Sequence, residues 1–144
     1  MSPKSWLSKL QQHGYRPTQA RRAVIETVAS SPSALTPIQV YDLARQHYPA
    51  LGLVTVYRTL EKLEELALVE RVHQPAGCQA FITAGRGHQH LMLCQQCGQT
   101  VYFEGDDLDT LIASISRQTG YEVRDHWLQL FGLCSQCRQT HPAE

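Results

Sequence analysis

Apolar residues recur at three- and four-residue spacing through roughly the first half of the chain, which is the period of helices with one buried face. Trp6, Leu7 and Leu10 form the first stripe, entered through Ser2-Pro3 and closed by Gly14, a pairing of early proline and late glycine that brackets a short helix. Thr18 then caps a second helix carrying Ala20, Val24 and Val28 on one face, with Arg21 and Arg22 outside, until Ser30-Ser31-Pro32 stops it. Thr36-Pro37-Ile38-Gln39 reads as a capping box that opens a third helix through Val40, Tyr41, Leu43, Ala44 and Tyr48, ending before Pro49. A fourth helix is expected from about Thr55 to Leu66. Its stripe is Val56, Leu60, Leu63 and Ala67, with Tyr57, Arg58, Glu61, Lys62 and Glu65 opposite.

The period then changes. Leu68–His73 and Gln79–Thr83 read as two strands around a turn at Pro75-Ala76-Gly77. Helices followed by a hairpin are the layout of a winged helix; an all-helical interaction domain with solvated charged faces is the plainer alternative. If the first holds, Tyr57, Arg58 and Thr59 lie at the end of the fourth helix that enters a major groove, whereas Glu64 and Glu65 at the other end repel phosphates. Further on, the pattern predicts a strand from His88 to Leu93, a strand from Thr100 to Phe103 and a helix from Asp106 to Thr119. That helix is marked by Leu108, Leu111, Ile112 and Ile115 and closed by Gly120; a long strand from Tyr121 to Leu133 follows. The fold class expected is α+β, with one domain over residues 1–84 and a small α/β domain over 85–144.

Charge sharpens this division. The 144 residues hold 13 basic and 13 acidic side chains. Residues 1–72 carry nine basic against six acidic groups, a surplus of three, and residues 73–144 carry four against seven. A basic half joined to an acidic half fits a nucleic-acid reader attached to a domain that does not bind nucleic acid. No run of about 18 apolar residues that could span a bilayer occurs, and the N-terminus lacks the apolar core of a secretory leader. A cytoplasmic protein without a membrane partner is expected.

Five cysteines add the chemistry. Cys94-Gln95-Gln96-Cys97 and Cys134-Ser135-Gln136-Cys137 are two hooks of the kind that supply four thiolates to a structural zinc ion. Buried free thiols or a redox pair are the alternatives, but the hooks lack the strand and helix context of a thioredoxin-like dithiol. His88 and His90, two apart on a strand, point to one face. With Asp109 in the first turn of the helix and His126 on the last strand they could form a second nitrogen and oxygen site suited to Zn(II), Fe(II) or Mn(II); taken singly, Asp109 reads as a helix-capping acid and each histidine as an ordinary residue.

Gly14-Tyr15-Arg16-Pro17-Thr18-Gln19-Ala20-Arg21, Thr55-Val56-Tyr57-Arg58-Thr59-Leu60, Leu68-Val69, the first hook with Gly98, and Phe131-Gly132 before Cys134 together resemble the ferric uptake regulator family of metal-dependent repressors, over nearly the whole chain. The resemblance implies that Tyr57 and Arg58 read DNA, with Arg16 as a backbone contact and Arg21 and Arg22 nearby. It implies that residues 85–144 are the dimerisation domain, so that a homodimer would meet a palindromic operator in double-stranded DNA. Counted from the first hook, His88, His90, Asp109 and His126 stand where the family carries a metal-ligand set. The function expected is a metal-responsive repressor of metal-uptake or homeostasis genes, with zinc or iron as co-repressor and no enzymatic activity. A peroxide sensor that oxidises a ligand histidine, and a small zinc hydrolase, are the rival readings.

The chain departs from the family at the hinge between domains. Positions that usually hold metal ligands there correspond to Leu35 or a neighbour, Ile82, Gln89 and Leu91. Either sensing rests on the His88, His90, Asp109 and His126 set, or a rebuilt hinge site uses His73 and Cys78 with Glu70 or Glu104. For Cys78 the plain alternative is a small buried hydrophobe.

Overall fold

A computed structural model describes residues 2–74, 77–85, 89–105 and 108–140. The chain divides into two compact units, Met1–Ala84 and Gly85–Glu144.

In the first unit four helices precede a hairpin. Helix α1 (Pro3–Gln12) starts with proline at its first turn and buries Trp6, Leu7 and Leu10. Its exit is a left-handed Gly14 with φ +83°, where the Tyr15 N–H donates to the Leu10 carbonyl at 3.0 Å and the Gly14 N–H to Gln11 at 3.0 Å, the paired bonds that satisfy a helix's last carbonyls. Helix α2 (Gln19–Ser30) is capped by the Thr18 hydroxyl, which accepts from the Arg21 N–H. Helix α3 (Pro37–Ala44) has the full capping box expected: Thr36 Oγ1 accepts from the Gln39 N–H at 3.2 Å, and Gln39 Oε1 from the Thr36 N–H at 2.9 Å. It ends four residues earlier than the stripe suggested, at Ala44; Leu43 lies exposed and Tyr48 belongs to the turn that follows.

Helix α4 (Leu53–Glu65) follows an N-cap at Gly52, begins two residues before the sequence-based boundary, and buries Val56, Thr59, Leu60 and Leu63. Ala67 is not the last rung of its stripe. It lies beyond the helix with φ +54°, while the Leu68 N–H reaches the Leu63 carbonyl and the Ala67 N–H the Glu64 carbonyl, each at 2.9 Å. The chain therefore reverses at Ala67 and enters β1 (Val69–His73), which pairs antiparallel with β2 (Gln79–Thr83) in the register Val69↔Thr83 to His73↔Gln79. Leu35 and Phe81 exchange backbone hydrogen bonds of 2.9 and 2.8 Å, an isolated antiparallel bridge against the outer edge of β2. One core, built on Trp6, Leu10, Ile25, Val40, Leu60 and Leu63, holds helices and hairpin together. This is the winged-helix arrangement.

The second unit is a three-stranded sheet in the order β4-β3-β5. Strands β3 (Gln89–Cys94) and β4 (Thr100–Glu104) are antiparallel, and β5 (Gln129–Gly132) lies parallel to β3 with Cys94 opposite Gly132. Helix α5 (Leu108–Thr119) connects them and has no buried residue. Only the last third of the expected long strand is a strand: residues 121–127 are exposed and irregular, because pairing with β3 begins at Gln129. A short helix α6 (Ser135–Thr140), not anticipated, carries the second hook.

Candidate metal centre and nucleic-acid interface

The parallel pairing of β5 with β3 delivers both hooks to the same end of the sheet. Within the first, Gly98 adopts φ +77°, closing a turn in which its N–H donates to the Cys94 carbonyl at 3.0 Å and the Cys94 N–H donates to Gln99 at 2.8 Å. The Gln95 N–H donates to the Gly132 carbonyl at 2.8 Å, tying one hook to the other. One ligand sulfur from each of Cys94, Cys97, Cys134 and Cys137 then lies within 4.8 Å of all the others, and the Cys97 and Cys134 sulfurs are 3.8 Å apart. Four sulfurs at about 2.3 Å from a tetrahedral zinc ion would be about 3.8 Å from each other. The separation is far beyond a disulfide bond and close to what zinc requires.

Electrostatics agree with the geometry. The Cys94 thiol is pulled down to about 6 by backbone N–H groups of the first hook and of Cys134. Cys137 is pushed up to about 12, first by its hydrogen bond with Cys134 and then by burial. At Cys97 a backbone hydrogen bond at Gln99 lowers the pKa, but its sulfur neighbours, Cys94 foremost, and burial outweigh it and leave the thiol raised. Four thiols packed this closely cannot all ionise alone; a divalent cation at the centre is what would allow four thiolates. The cluster fits a structural zinc site.

The second expected set is met only in part. The His90 and His126 rings lie 5.4 Å apart between centroids, and His90 also faces Phe103 at 5.6 Å. His90 is buried and His126 exposed. His88 lies outside the described residues, as does Asp106. Asp109 stands exposed in the first turn of α5. Among the described residues the only convergence of three or more metal-capable side chains is the cysteine cluster. Of the hinge candidates, Glu70 and His73 are three apart on β1 and so project to opposite faces; Cys78 is exposed, which corrects the expectation of a buried hydrophobe. Glu104 ends β4, exposed. Leu35, Ile82 and Leu91, at the usual ligand positions, are apolar and wholly or largely buried.

Tyr57 and Arg58 project from the first turns of α4, with Tyr57 46% exposed. Thr59 does not join them. It is 2% exposed, and its hydroxyl donates to the Thr55 carbonyl at 2.7 Å, so it faces the core where the i, i+3 and i+4 rows place it beside Val56 and Leu63. Arg16 and Arg22 are exposed. Arg21 is engaged locally, donating to the Arg16 carbonyl at 2.6 Å and lying 6.0 Å from the Tyr15 ring centroid. Two of the three acids of α4 are paired, Glu65 with Lys62 at 3.2 Å and Glu64 with Arg71 at 2.7 Å. Sequence reasoning counted Arg71 only as one more positive charge; a Glu and an Arg seven apart across a helix end and a strand start were the available signal.

A winged helix joined to a small α/β unit with a four-cysteine cluster that fits a metal ion defines a metal-responsive DNA-binding regulator. The model of the ferric uptake regulator family matches residues 12–131. The ferric uptake regulation protein of Campylobacter jejuni is 32% identical over 130 residues, covering 89% of this chain and 83% of that protein. The ferric uptake regulator of Helicobacter pylori shares the fold with a TM-score of 0.75 at 18% identity, over 96% of this chain and 95% of the other. A zinc uptake regulator complexed with zinc and DNA does so with a TM-score of 0.71 at 20% identity, over 99% of both chains. The chain belongs to the ferric uptake regulator family. It is therefore a transcription regulator and not an enzyme, which disposes of the zinc hydrolase reading.

Proposed function

We propose that this chain acts in the cytoplasm as a homodimeric repressor of metal-uptake or homeostasis genes, binding a palindromic operator when a second divalent metal is bound. The observation that carries this reading is the outward stance of Tyr57 and Arg58 on α4. Val56, Leu60 and Leu63 anchor that helix in the core, so the two side chains are held on a rigid platform at the end suited to a major groove. Residues 1–84 are the DNA-reading domain and 85–144 the dimerisation domain. For the latter, the support is an exposed apolar surface on α5 and the segment after it, with Leu111, Ile115 and Tyr121 all exposed, and a second copy of the same sheet and helix is the self-complementary cover that two-fold symmetry provides.

The four cysteines hold a structural zinc, whose binding contributes to folding of the second unit rather than to switching. The regulatory ion, Zn(II), Fe(II) or Mn(II), would be held by His88, His90, Asp109 and His126; the nearness of the His90 and His126 rings supports a nitrogen-donor pair. Such an ion supplies positive charge and crosslinks strand and helix. If the DNA-competent state of the chain binds it more tightly, operator DNA tightens metal binding by the same factor.

Operator affinity measured with chelator, Zn(II), Fe(II) and Mn(II), on protein whose cysteine site stays loaded, tests this reading. One ion should raise affinity at least tenfold over chelator. Equal affinity under all four conditions would sink metal control.

A further inference from the structure

Arg71 joins its own strand to two other elements. From β1 its Nε and Nη2 donate to the two carboxylate oxygens of Glu64, on α4, at 3.1 and 2.7 Å. Its Nη1 donates to the Gln79 side-chain oxygen on β2, and its guanidinium lies 5.2 Å from the Phe81 ring centroid. The forked carboxylate geometry fixes orientation as well as distance, which a lysine could not reproduce. Above the clamp opens a cleft of about 510 Å³ lined by Thr36, Tyr57, Glu61, Arg71 and Cys78 among others. One wall of that cleft is the reading helix and another is the hairpin.

We infer that Arg71, with Glu64, is a positioning residue that sets the angle between the reading helix and the wing, so that both can meet one DNA duplex. The inference rests on α4 being the reading helix. The pair is about one-third exposed on each side, 35% and 36%, so its contribution to overall stability is small. Its effect is directional. A salt bridge of little thermodynamic weight can still remove the freedom of a two-stranded hairpin to pivot about its short connection to α4, which is only Leu66, Ala67 and Leu68 before β1 begins.

The test uses the full metal-loaded chain and an operator duplex selected from a random pool, with affinity measured across salt concentrations. Arg71→Ala, Arg71→Lys and Glu64→Gln should each weaken operator binding by about fivefold or more, with the slope of log affinity against log salt unchanged. The sign for Glu64→Gln is the sharpest point. Removing a negative charge beside DNA should tighten binding on charge grounds alone, and it would free Arg71 to meet a phosphate; a clamp demands the opposite. Tighter binding by Glu64→Gln, a salt slope reduced by about one in Arg71→Ala, or full affinity in all three variants overturns the inference. The isosteric Glu64→Gln keeps the question answerable if Arg71→Ala fails to fold. Arg58→Ala is the control: intact binding there refutes α4 as the reading helix, whereas lost binding there with full affinity in the clamp variants refutes only the clamp.

Discussion

The backbone N–H of Cys134 donates to the sulfur of Cys94 at 3.3 Å, although the two residues stand forty positions apart. The bond joins the end of β3 to the start of the second hook, and it stabilises charge on Cys94 before any metal arrives. Replacing one of the four sulfurs should therefore unstitch the unit. Cys134→Ser is expected to lose zinc and to unfold residues 85–140 while residues 2–84, with their own core, remain helical. Zinc content and hydrogen exchange resolved by unit measure both outcomes; an apparent binding free energy on the order of 10 kcal/mol is at stake.

Proton release follows from the same cluster. With Cys94 lowered to about 6, Cys97 raised and Cys137 raised to about 12, the metal-free hooks hold a thiolate at Cys94 and protons at Cys97 and Cys137 at neutral pH. Zinc loading at pH 7.5 should release at least about two protons per site, those of Cys97 and Cys137, read with an indicator dye in weak buffer. As pH falls, protons compete for the sulfur lone pairs and zinc affinity drops; as it rises, fewer protons are released.

Arg58 and Thr59 are adjacent in sequence and should differ sharply in effect. Arg58→Ala should cost about 1 to 3 kcal/mol of operator binding and relax base preference at one position. Thr59→Val, which removes a hydroxyl already bonded to Thr55, should leave operator affinity unchanged within twofold. A loss with Thr59→Val would return that residue to the interface.

Ala67 occupies a left-handed conformation that glycine adopts without penalty. Ala67→Gly should stabilise the first unit by roughly 1 kcal/mol, visible as a higher melting temperature with unchanged operator binding.

These cases also mark what the sequence could reveal. The capping box at Thr36 and the cap at Thr18 were legible because they are decided by residues three apart. The two cysteine hooks were legible because metal chemistry restricts spacing, although the parallel pairing that brings them together is a long-range event. Ala67 was misread because its spacing continues the apolar rhythm of α4 after the backbone has turned. Thr59 was misread because its neighbours in the chain face outward, whereas its place on the helix points inward. The long last strand failed for a different reason: residues 121–127 have the composition of a strand, but β3 offers its edge only from Gln129 onward. Arg71 was missed in its role because its spacing to Glu64 is only a faint signal, and a clamp is defined by what it reaches, not by its neighbours.

Helix α5 buries none of its residues, and Trp127 stands 63% exposed beyond it. A unit of this size with an uncovered helix keeps little apolar area from water, so association and folding become one equilibrium. The melting temperature of the second unit should then climb with protein concentration at constant zinc, while that of the first stays level. Dilution would act as a denaturant on half of the chain, and the cell's supply of this regulator would itself help determine how much of it is folded.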